Sequence, residues 1–308
     1  MKTFLTNGTG LQPTDVWHSN CWINVECPDQ SDLEFLQHKL EIPPTFITDI
    51  EDIDERPRIE TEDGWSLVVI RIPYKTTDDH QPFATVPLGI ITKNDITITL
   101  CFHKTEMISD FILYTQRKNI QIDNNYDLVL KLLLSTSVWF LKYLKQINQL
   151  IKLAEKQLEQ SIKNEELQIL LRIEKCLVFF TTSLKGNDIL LNKLRKLRTY
   201  KDNIDEDLIE EVEIELRQAH ETTNIYSDIL SGMMDAYASV ISNNLNVIMK
   251  QLTLISIILM IPTLIASLYG MNMPNYLENN PYGFGIIALS SFILASFGVL
   301  LFKRKNWF

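Results

Sequence analysis

The chain has 308 residues, a net charge of −10 at neutral pH and four cysteines. An acidic surface repels nucleic acid and attracts divalent cations, which excludes a nucleic-acid partner. Because the cysteines lack Cys-x-x-Cys spacing, we interpret them as small apolar residues in a reducing compartment rather than as metal ligands. The opening Met1–Gly8 lacks the apolar core of a signal peptide, so the N-terminal part is expected to stay in the cytoplasm.

Residues 1–122 carry the strand signals and predict a cytoplasmic α+β domain, with an antiparallel sheet flanked by short helices. A capping box at Ser31–Glu34 predicts the start of one helix, and a second helix is expected over Thr45–Asp52. Strands are predicted at Trp22–Val25, Pro57–Thr61, Trp65–Tyr74, Phe83–Thr92 and Ile96–His103. The sequence of this segment has no Gly-rich phosphate loop, nucleophile elbow or His/Cys cluster, so an enzyme is not expected.

Helix-period patterns replace the strand signals from residue 123 onward. Long helices are predicted over Leu128–Ser161 and Glu165–Arg198, and a third begins near Asn203–Asp205. If the third helix continues to Leu268, it is roughly 96 Å long. Such a helix must pack against copies of itself or against the other two. Residues 123–250 are therefore interpreted as a stalk of long helices.

Two uncharged segments near the C-terminus are long enough to cross a bilayer, Leu252–Leu268 with 17 residues and Gly283–Phe302 with 20. They predict a transmembrane hairpin within residues 251–308, joined by a loop that contains Gly-Met-Asn. Basic residues lie beside the spans at Lys250, Lys303, Arg304 and Lys305. Because such residues stay cytoplasmic, we expect a multi-pass protein of the plasma or inner membrane with both termini in the cytoplasm and the loop outside.

A mostly polar stripe repeats along the third helix at alternating steps of four and three. It consists of Asp235, Ser239, Ser242, Asn246, Met249, Thr253, Ser256, Met260, Thr263 and Ser267. In one interpretation, the small hydroxyl residues let helices approach closely in the membrane. In the other, several copies surround a wet pore, with rings of Asp235 and Asn246 and apolar constrictions at Met249 and Met260. The spacing does not decide whether Leu252 or Thr253 faces inward, and two spans per chain require a homo-oligomer.

Several C-terminal motifs are similar to those of one known family. They are Ser231–Tyr237, Met260–Thr263, Tyr269–Asn272 and the ending Lys303–Phe308. Together they resemble the CorA family of magnesium channels, and Glu55–Glu60 fits the N-terminal domain of that family. The similarity is dense from about Tyr226 onward and weaker upstream. The chain departs from the family pattern at Ser267, where Gly is frequent, at Met273, where Phe is frequent, and at Glu278, a displaced loop acid.

The resemblance implies a homopentameric funnel in which the first span lines the pore and the second forms an outer ring. It implies a selectivity loop of Gly270, Met271 and Asn272, with Asn272 binding hydrated Mg²⁺ at the outer mouth. The implied conduction path is lined by Asn246, Met249, Leu252, Met260 and Thr263, and the stripe adds Asp235, Ser256 and Ser267. The family also favours Leu252 over Thr253 as a constriction.

Regulation is expected at two acidic clusters, Asp49–Glu55 and Asp202–Glu215, most of whose members we interpret as solvated helix faces. By family position, Asp49 and Glu211 are the paired carboxylates of a regulatory Mg²⁺ site between subunits. Mg²⁺ is thus expected as transported and regulatory ion, without an organic cofactor. The preference among Mg²⁺, Co²⁺ and Ni²⁺ stays open, and a Zn²⁺ carrier and a membrane-anchored adaptor are rival functions. The bases before the second cluster pair with it or with the cytoplasmic face: Lys193, Arg195, Lys196, Arg198 and Lys201.

Overall fold

A computed structural model of the chain describes residues 2–8, 10–17, 21–77, 81–160, 164–196, 205–271 and 280–304. Within these residues the strands form one sheet in the order β2-β1-β3-β7-β6-β5-β4. The strands are β1 (Lys2–Gly8), β2 (Gly10–Thr14), β3 (Cys21–Glu26), β4 (Arg58–Glu62), β5 (Trp65–Lys75), β6 (Phe83–Lys93) and β7 (Ile96–Cys101). Neighbouring strands are antiparallel except β3 and β7, which run parallel.

The helices between and after the strands are α1 (Gln30–Glu34), α2 (Pro44–Glu51), α3 (Glu106–Lys118), α4 (Asn125–Gln160), α5 (Asn164–Lys196), α6 (Glu206–Tyr269) and α7 (Gly283–Arg304). A π-helical turn, Phe35–Lys39, follows α1 directly. The described residues divide into two compact units, Met1–Gly232 and Met233–Phe308. The predicted division into a cytoplasmic domain (1–122), a helical stalk (123–250) and a membrane hairpin (251–308) stays a prediction.

The predicted strands from Pro57 to His103 are confirmed with small shifts at their ends, but the prediction of a wholly antiparallel sheet is wrong. The strand at Trp22–Val25 pairs in parallel with β7, and Cys21–Val25 are all buried. A strand covered on both faces shows no alternation of polar and apolar residues, so the pattern did not reveal its direction. The sequence reasoning also missed β1, β2 and α3.

The capping box of α1 begins two residues earlier than predicted. Asp29 is the N-cap residue, and its carboxylate accepts the Asp32 backbone N–H at 2.8 Å. The Asp32 carboxylate accepts the Asp29 backbone N–H in return, and the Ser31 hydroxyl donates to Asp29 at 2.7 Å. Asp caps a helix as well as Ser does, so the Asp at 29 takes the role that we predicted for Ser31.

One face of the sheet holds an apolar core that positions α2. Phe46, Ile47 and Ile50 of α2 are buried in one cluster with Ile23, Leu67 and Val69 of the sheet, among others. Gly89 of β6 lets α2 approach, because a Cβ there would lie 2.1 Å from the Ile50 side chain. Successive residues of a strand face opposite sides. Accordingly Trp22 contacts Phe111 of α3, and Thr97 donates to Asn125 of α4, on the other face.

A buried amide holds α5 against the sheet where β4 has ended. The last β5 residue paired with β4 is Val69. At Arg71 the Asn187 side chain takes over, accepting the Arg71 backbone N–H at 2.9 Å and donating to its carbonyl at 2.8 Å. Ser183 on the same helix donates to the Thr85 hydroxyl at 2.8 Å. Asn187 is fully buried, so water does not compete for its hydrogen bonds.

Replacing Asn187 with alanine is expected to lower the free energy of unfolding by about 2–3 kcal/mol, because two buried backbone groups of Arg71 lose their partners. The matched control is Asn192→Ala on the same helix. Asn192 is exposed and donates only to the Asp188 carbonyl of its own helix. Thermal unfolding of the full chain in detergent measures the difference. Equal melting temperatures for the two variants would contradict the role of Asn187.

Candidate functional site

Every residue of the stripe on α6 is exposed in the single chain. All ten stripe positions from Asp235 to Ser267 are exposed, and Met249 and Met260 are 58% and 67% accessible. Leu252, beside the stripe, is 58% accessible. The helix continues through Pro262 to Tyr269, so the stripe lies on one uninterrupted helix. The predicted pore-lining residues therefore share one helix surface, although exposure alone does not decide between Leu252 and Thr253.

Four of the six hydroxyls of the stripe are bonded within their own helix. Ser239, Thr253, Ser256 and Thr263 each donate to the carbonyl four residues earlier, at 2.8–3.0 Å. A hydroxyl bonded in this way has used its only hydrogen, and its oxygen still has a lone pair to offer. These polar side chains can therefore lie in an apolar segment without an unsatisfied donor.

The opposite side of α6 packs against α7. Leu254 is buried, and Ile257, Ile258, Ile261 and Ile265 are half-buried. Ile261 lies beside Gly298 of α7, where a Cβ would be 3.6 Å from the Ile261 side chain. At 100° per residue, this face is turned by about 135° from the stripe over residues 253–267. Lower down, Asn246, Met249 and Thr253 border a small groove that Phe302 of α7 also lines.

Among the described residues, two helices are long and apolar enough to cross a membrane, with mean hydropathies of 2.2 within α6 and 2.3 within α7. Few residues of either apolar window are buried. Large exposed apolar surfaces mark contact with a membrane or with other protein. The two candidate spans therefore match the hairpin predicted from the sequence.

The structure describes the predicted selectivity loop only in part. Gly270 ends α6, and its backbone N–H donates to the Ala266 carbonyl at 2.9 Å. Met271 is 52% accessible. Asn272, like Met273 and Glu278, lies outside the described residues, so its predicted contact with the ion stays a prediction.

The predicted regulatory residue Asp49 lies in the last turn of α2 and is paired within its own chain. Its carboxylate accepts a hydrogen bond from the Arg58 guanidinium at 2.5 Å. Arg58 also pairs with Glu55 and, at 3.0 Å, with Glu60. The chain after α2 is tied to the sheet by Arg71, whose guanidinium donates to the carbonyls of Ile53 and Glu55.

Arg71 holds this segment from a buried position. Its guanidinium also donates to the Thr85 carbonyl at 2.7 Å and to the Thr85 hydroxyl at 2.8 Å. Burial lowers the pKa of Arg71, and the charges of Asp54 and Asp52 oppose that change. Because arginine keeps its proton in proteins, the shift leaves a permanent positive charge beneath the acidic segment.

Glu211, the predicted partner of Asp49, is exposed near the start of α6. Within the described ranges, no group of three or more His, Cys, Asp or Glu side chains is arranged to hold a metal ion. Carboxylate oxygens suit Mg²⁺, but the ion prefers six oxygen ligands and keeps several waters. The regulatory pairing of Asp49 with Glu211 stays a prediction.

The comparisons with known proteins assign the family. The family model described as "CorA-like Mg2+ transporter protein" matches residues 17–304. The chain belongs to the CorA family. The family consists of ion transporters rather than enzymes. The match covers five of the seven strands, from β3 onward, and both candidate spans, so the resemblance seen in the C-terminal motifs extends over nearly the whole CorA chain.

Individual relatives agree with the assignment to CorA. A cobalt/magnesium transport protein CorA from Methanocaldococcus jannaschii is 26% identical over 93% of this chain and 90% of its own length. A protein of the same description from Thermotoga maritima is 26% identical over 93% of this chain and 83% of its own. The complete structure of the CorA magnesium transporter from M. jannaschii superposes with a TM-score of 0.84 at 24% identity, covering 100% of this chain and 99% of that one. At that identity the structural likeness establishes the CorA fold.

Sequence reasoning missed Arg58, although it named the acids around it. Arg58 and Glu60 are two residues apart on β4, and strand residues two apart face the same side. The two bases between the two acids of Glu55–Glu60 could therefore have indicated an ion-pair cluster. The bases before the second acidic cluster show one described contact with it, Arg195 to Glu213 at 3.9 Å between exposed side chains. Such a pair contributes little to stability.

Proposed function

We propose that this CorA chain forms a homopentameric channel that moves hydrated Mg²⁺ across the plasma or inner membrane. Five copies of α6 surround the pore, and five copies of α7 form the outer ring. Both termini face the cytoplasm, because Lys250 and Arg304 lie at the same end of the hairpin and basic residues are retained on that side. The loop with Gly270, Met271 and Asn272 forms the external entrance.

The exposed stripe on α6 is the observation that carries this proposal. All its members stay exposed in the single chain, although Asn246, Met249 and Thr253 border a groove that Phe302 of α7 also lines. Ser256 and Thr263 can face water or, as the close-packing alternative has it, another helix. A water-filled axis between copies accommodates the hydroxyls together with Asp235 and Asn246. Met249, Leu252 and Met260 then form apolar constrictions on that axis.

Mg²⁺ suits such a pore because the ion dehydrates reluctantly and prefers oxygen ligands. The pore-lining residues include no thiol or imidazole that would favour Co²⁺, Ni²⁺ or Zn²⁺. The two relatives described as cobalt/magnesium transport proteins make Co²⁺ the second candidate ion.

Flux into liposomes tests the proposal. Purified protein is reconstituted with an internal Mg²⁺ indicator, and protein-free liposomes are the control. If the protein is a channel, we expect Mg²⁺ to enter faster than in the protein-free control, and we expect added Co²⁺ to reduce that entry. A membrane-anchored adaptor predicts no flux above the control. Mass measurement of the detergent-solubilised particle tests the pentamer separately, and a monomer would exclude the pore.

Cytoplasmic Mg²⁺ is proposed to hold the channel closed through carboxylates of neighbouring copies, Asp49 of one and Glu211 of the next. Replacing Asp49 with lysine is therefore expected to weaken inhibition of flux by Mg²⁺ on the cytoplasmic side by at least about tenfold, since the loss of about 1.4 kcal/mol of binding suffices. The matched control is Glu51→Lys, which makes the same charge change two residues away on an exposed position of α2. Unchanged inhibition in Asp49→Lys would exclude this site.

A further inference from the structure

Arg58 is the centre of a cluster of three carboxylates. Its Nη2 atom lies 2.5 Å from Asp49 Oδ2 and 3.0 Å from Glu60 Oε2, and its Nη1 atom contacts Glu55. The Nε atom donates to the same Glu60 oxygen at 3.0 Å. The side chains of Arg58 and Asp49 are 28% and 30% accessible, so the pair is partly shielded from water. Ion pairs in such positions are screened less than fully exposed ones.

The position of Asp49 makes its negative charge unfavourable unless a cation lies nearby. It lies in the last turn of α2, and no basic residue occupies that turn. The C-terminal end of a helix carries partial negative charge, which disfavours a carboxylate there. The guanidinium of Arg58 offsets this charge in the single chain.

We propose that Arg58 is a tethered cation that competes with Mg²⁺ for Asp49 and so sets the cytoplasmic Mg²⁺ concentration at which the channel closes. This inference depends on the proposed role of Asp49 as a metal ligand. The guanidinium and the hydrated ion seek the same carboxylate, and their positive charges repel each other. Binding of Mg²⁺ at Asp49 therefore requires Arg58 to withdraw from that residue.

The withdrawal leaves Arg58 paired. Glu55 and Glu60 accept from its other donors, so the guanidinium need not lose all its partners when it leaves Asp49. Arg58 is the first residue of β4, which is an edge strand of the sheet. Arg58 thus has three carboxylate partners, and it can release Asp49 while it stays paired with the other two.

Arg58→Gln and Arg56→Gln form a matched pair to test this competition. Both remove one positive charge from the same segment, but Arg56 is exposed and has no ion pair among the described residues. Two readouts are measured against cytoplasmic Mg²⁺, the inhibition of flux and the protection of the full-length protein from a protease. In Arg58→Gln the half-effective Mg²⁺ concentration is expected to fall about three- to tenfold relative to Arg56→Gln in both readouts, which corresponds to about 0.7–1.4 kcal/mol.

Arg58→Lys guards against a folding defect in Arg58→Gln. A lysine keeps the charge but cannot bind several carboxylates in the fork geometry of a guanidinium, so an intermediate concentration is expected. Melting temperatures without Mg²⁺ identify any variant that fails to fold. If Arg58→Gln responds to Mg²⁺ as Arg56→Gln does, or if Arg58→Lys needs more Mg²⁺ than the unmodified chain, the competition is refuted.

Asp49→Asn separates this inference from the proposed function. If Asp49→Asn loses Mg²⁺ protection while Arg58→Gln matches its control, the metal site stands and only the role of Arg58 is overturned. If Asp49→Asn keeps both responses unchanged, the regulatory site itself is wrong and the inference fails with it. Loss of protection in Asp49→Asn together with the lowered concentration in Arg58→Gln supports both.

Discussion

Replacing Asn272 with alanine is expected to reduce Mg²⁺ flux by at least about tenfold, because every subunit of the proposed pentamer loses one amide from the external entrance. A hydrogen bond to a charged partner contributes about 1.5–3 kcal/mol, and about 1.4 kcal/mol changes an equilibrium tenfold. The hydrated ion would be held at the entrance by amide and carbonyl oxygens, which accept hydrogen bonds from its water shell. Indicator-loaded liposomes measure the initial rate of entry.

Asn275→Ala is the matched control, since it deletes the same side chain three residues along the same loop. It is expected to retain most of the flux. If Asn272→Ala conducts like the unmodified protein, Asn272 is a turn residue rather than a ligand of the hydrated ion. Particle mass is compared in parallel, so that a failure to assemble is recognised.

A cysteine at Thr263 is expected to make the channel sensitive to a positively charged thiol reagent, with loss of more than about nine-tenths of the flux. The stripe position faces the proposed aqueous axis, where the reagent reaches the thiol and the added charge repels Mg²⁺ at short range. The native cysteines all lie in the N-terminal unit, at 21, 27, 101 and 176. Treating the unmodified protein with the reagent therefore measures any effect of labelling those native cysteines.

Ile261→Cys is the control on the same turn of α6. Ile261 is half-buried and lies beside Gly298 of α7, so the reagent should modify it slowly and leave the flux unchanged. Block at position 261 without block at position 263 would reverse the assignment of the pore-lining face. A block at both positions would indicate that α6 and α7 separate in the membrane.

The membrane hairpin was predictable because a bilayer imposes strict requirements on sequence. Uncharged runs of 17 and 20 residues leave few structures other than helices, and both lie within helices of the structure. The long α6 was predicted for a similar reason, since no proline or glycine interrupts it before Gly232. The sequence could not show that α6 continues through Pro262, because a proline ends some helices and only kinks others.

The sheet was predicted less well because its order depends on contacts distant in the chain. In the parallel pairing of β3 with β7, Trp22 lies opposite Thr97. A local sequence pattern does not predict which distant strand becomes the neighbour. The strands at Lys2–Gly8 and Gly10–Thr14 are mixed in character, and their side-chain signal is weak. The Asp49–Arg58 pair was missed for the same reason, since a helix end and a strand meet there only after folding.

The helix-bonded hydroxyls of the stripe have a consequence for the sign of the ion that the proposed pore would admit. Because Ser256 and Thr263 have committed their hydrogens to carbonyls of their own helix, these two hydroxyls would offer only oxygen lone pairs to the proposed axis. Water against such a wall turns its hydrogens outward and its oxygens toward the centre. That orientation is the one found in the shell of a cation and the reverse of the one around chloride, so the wall would discriminate against anions without carrying a formal charge.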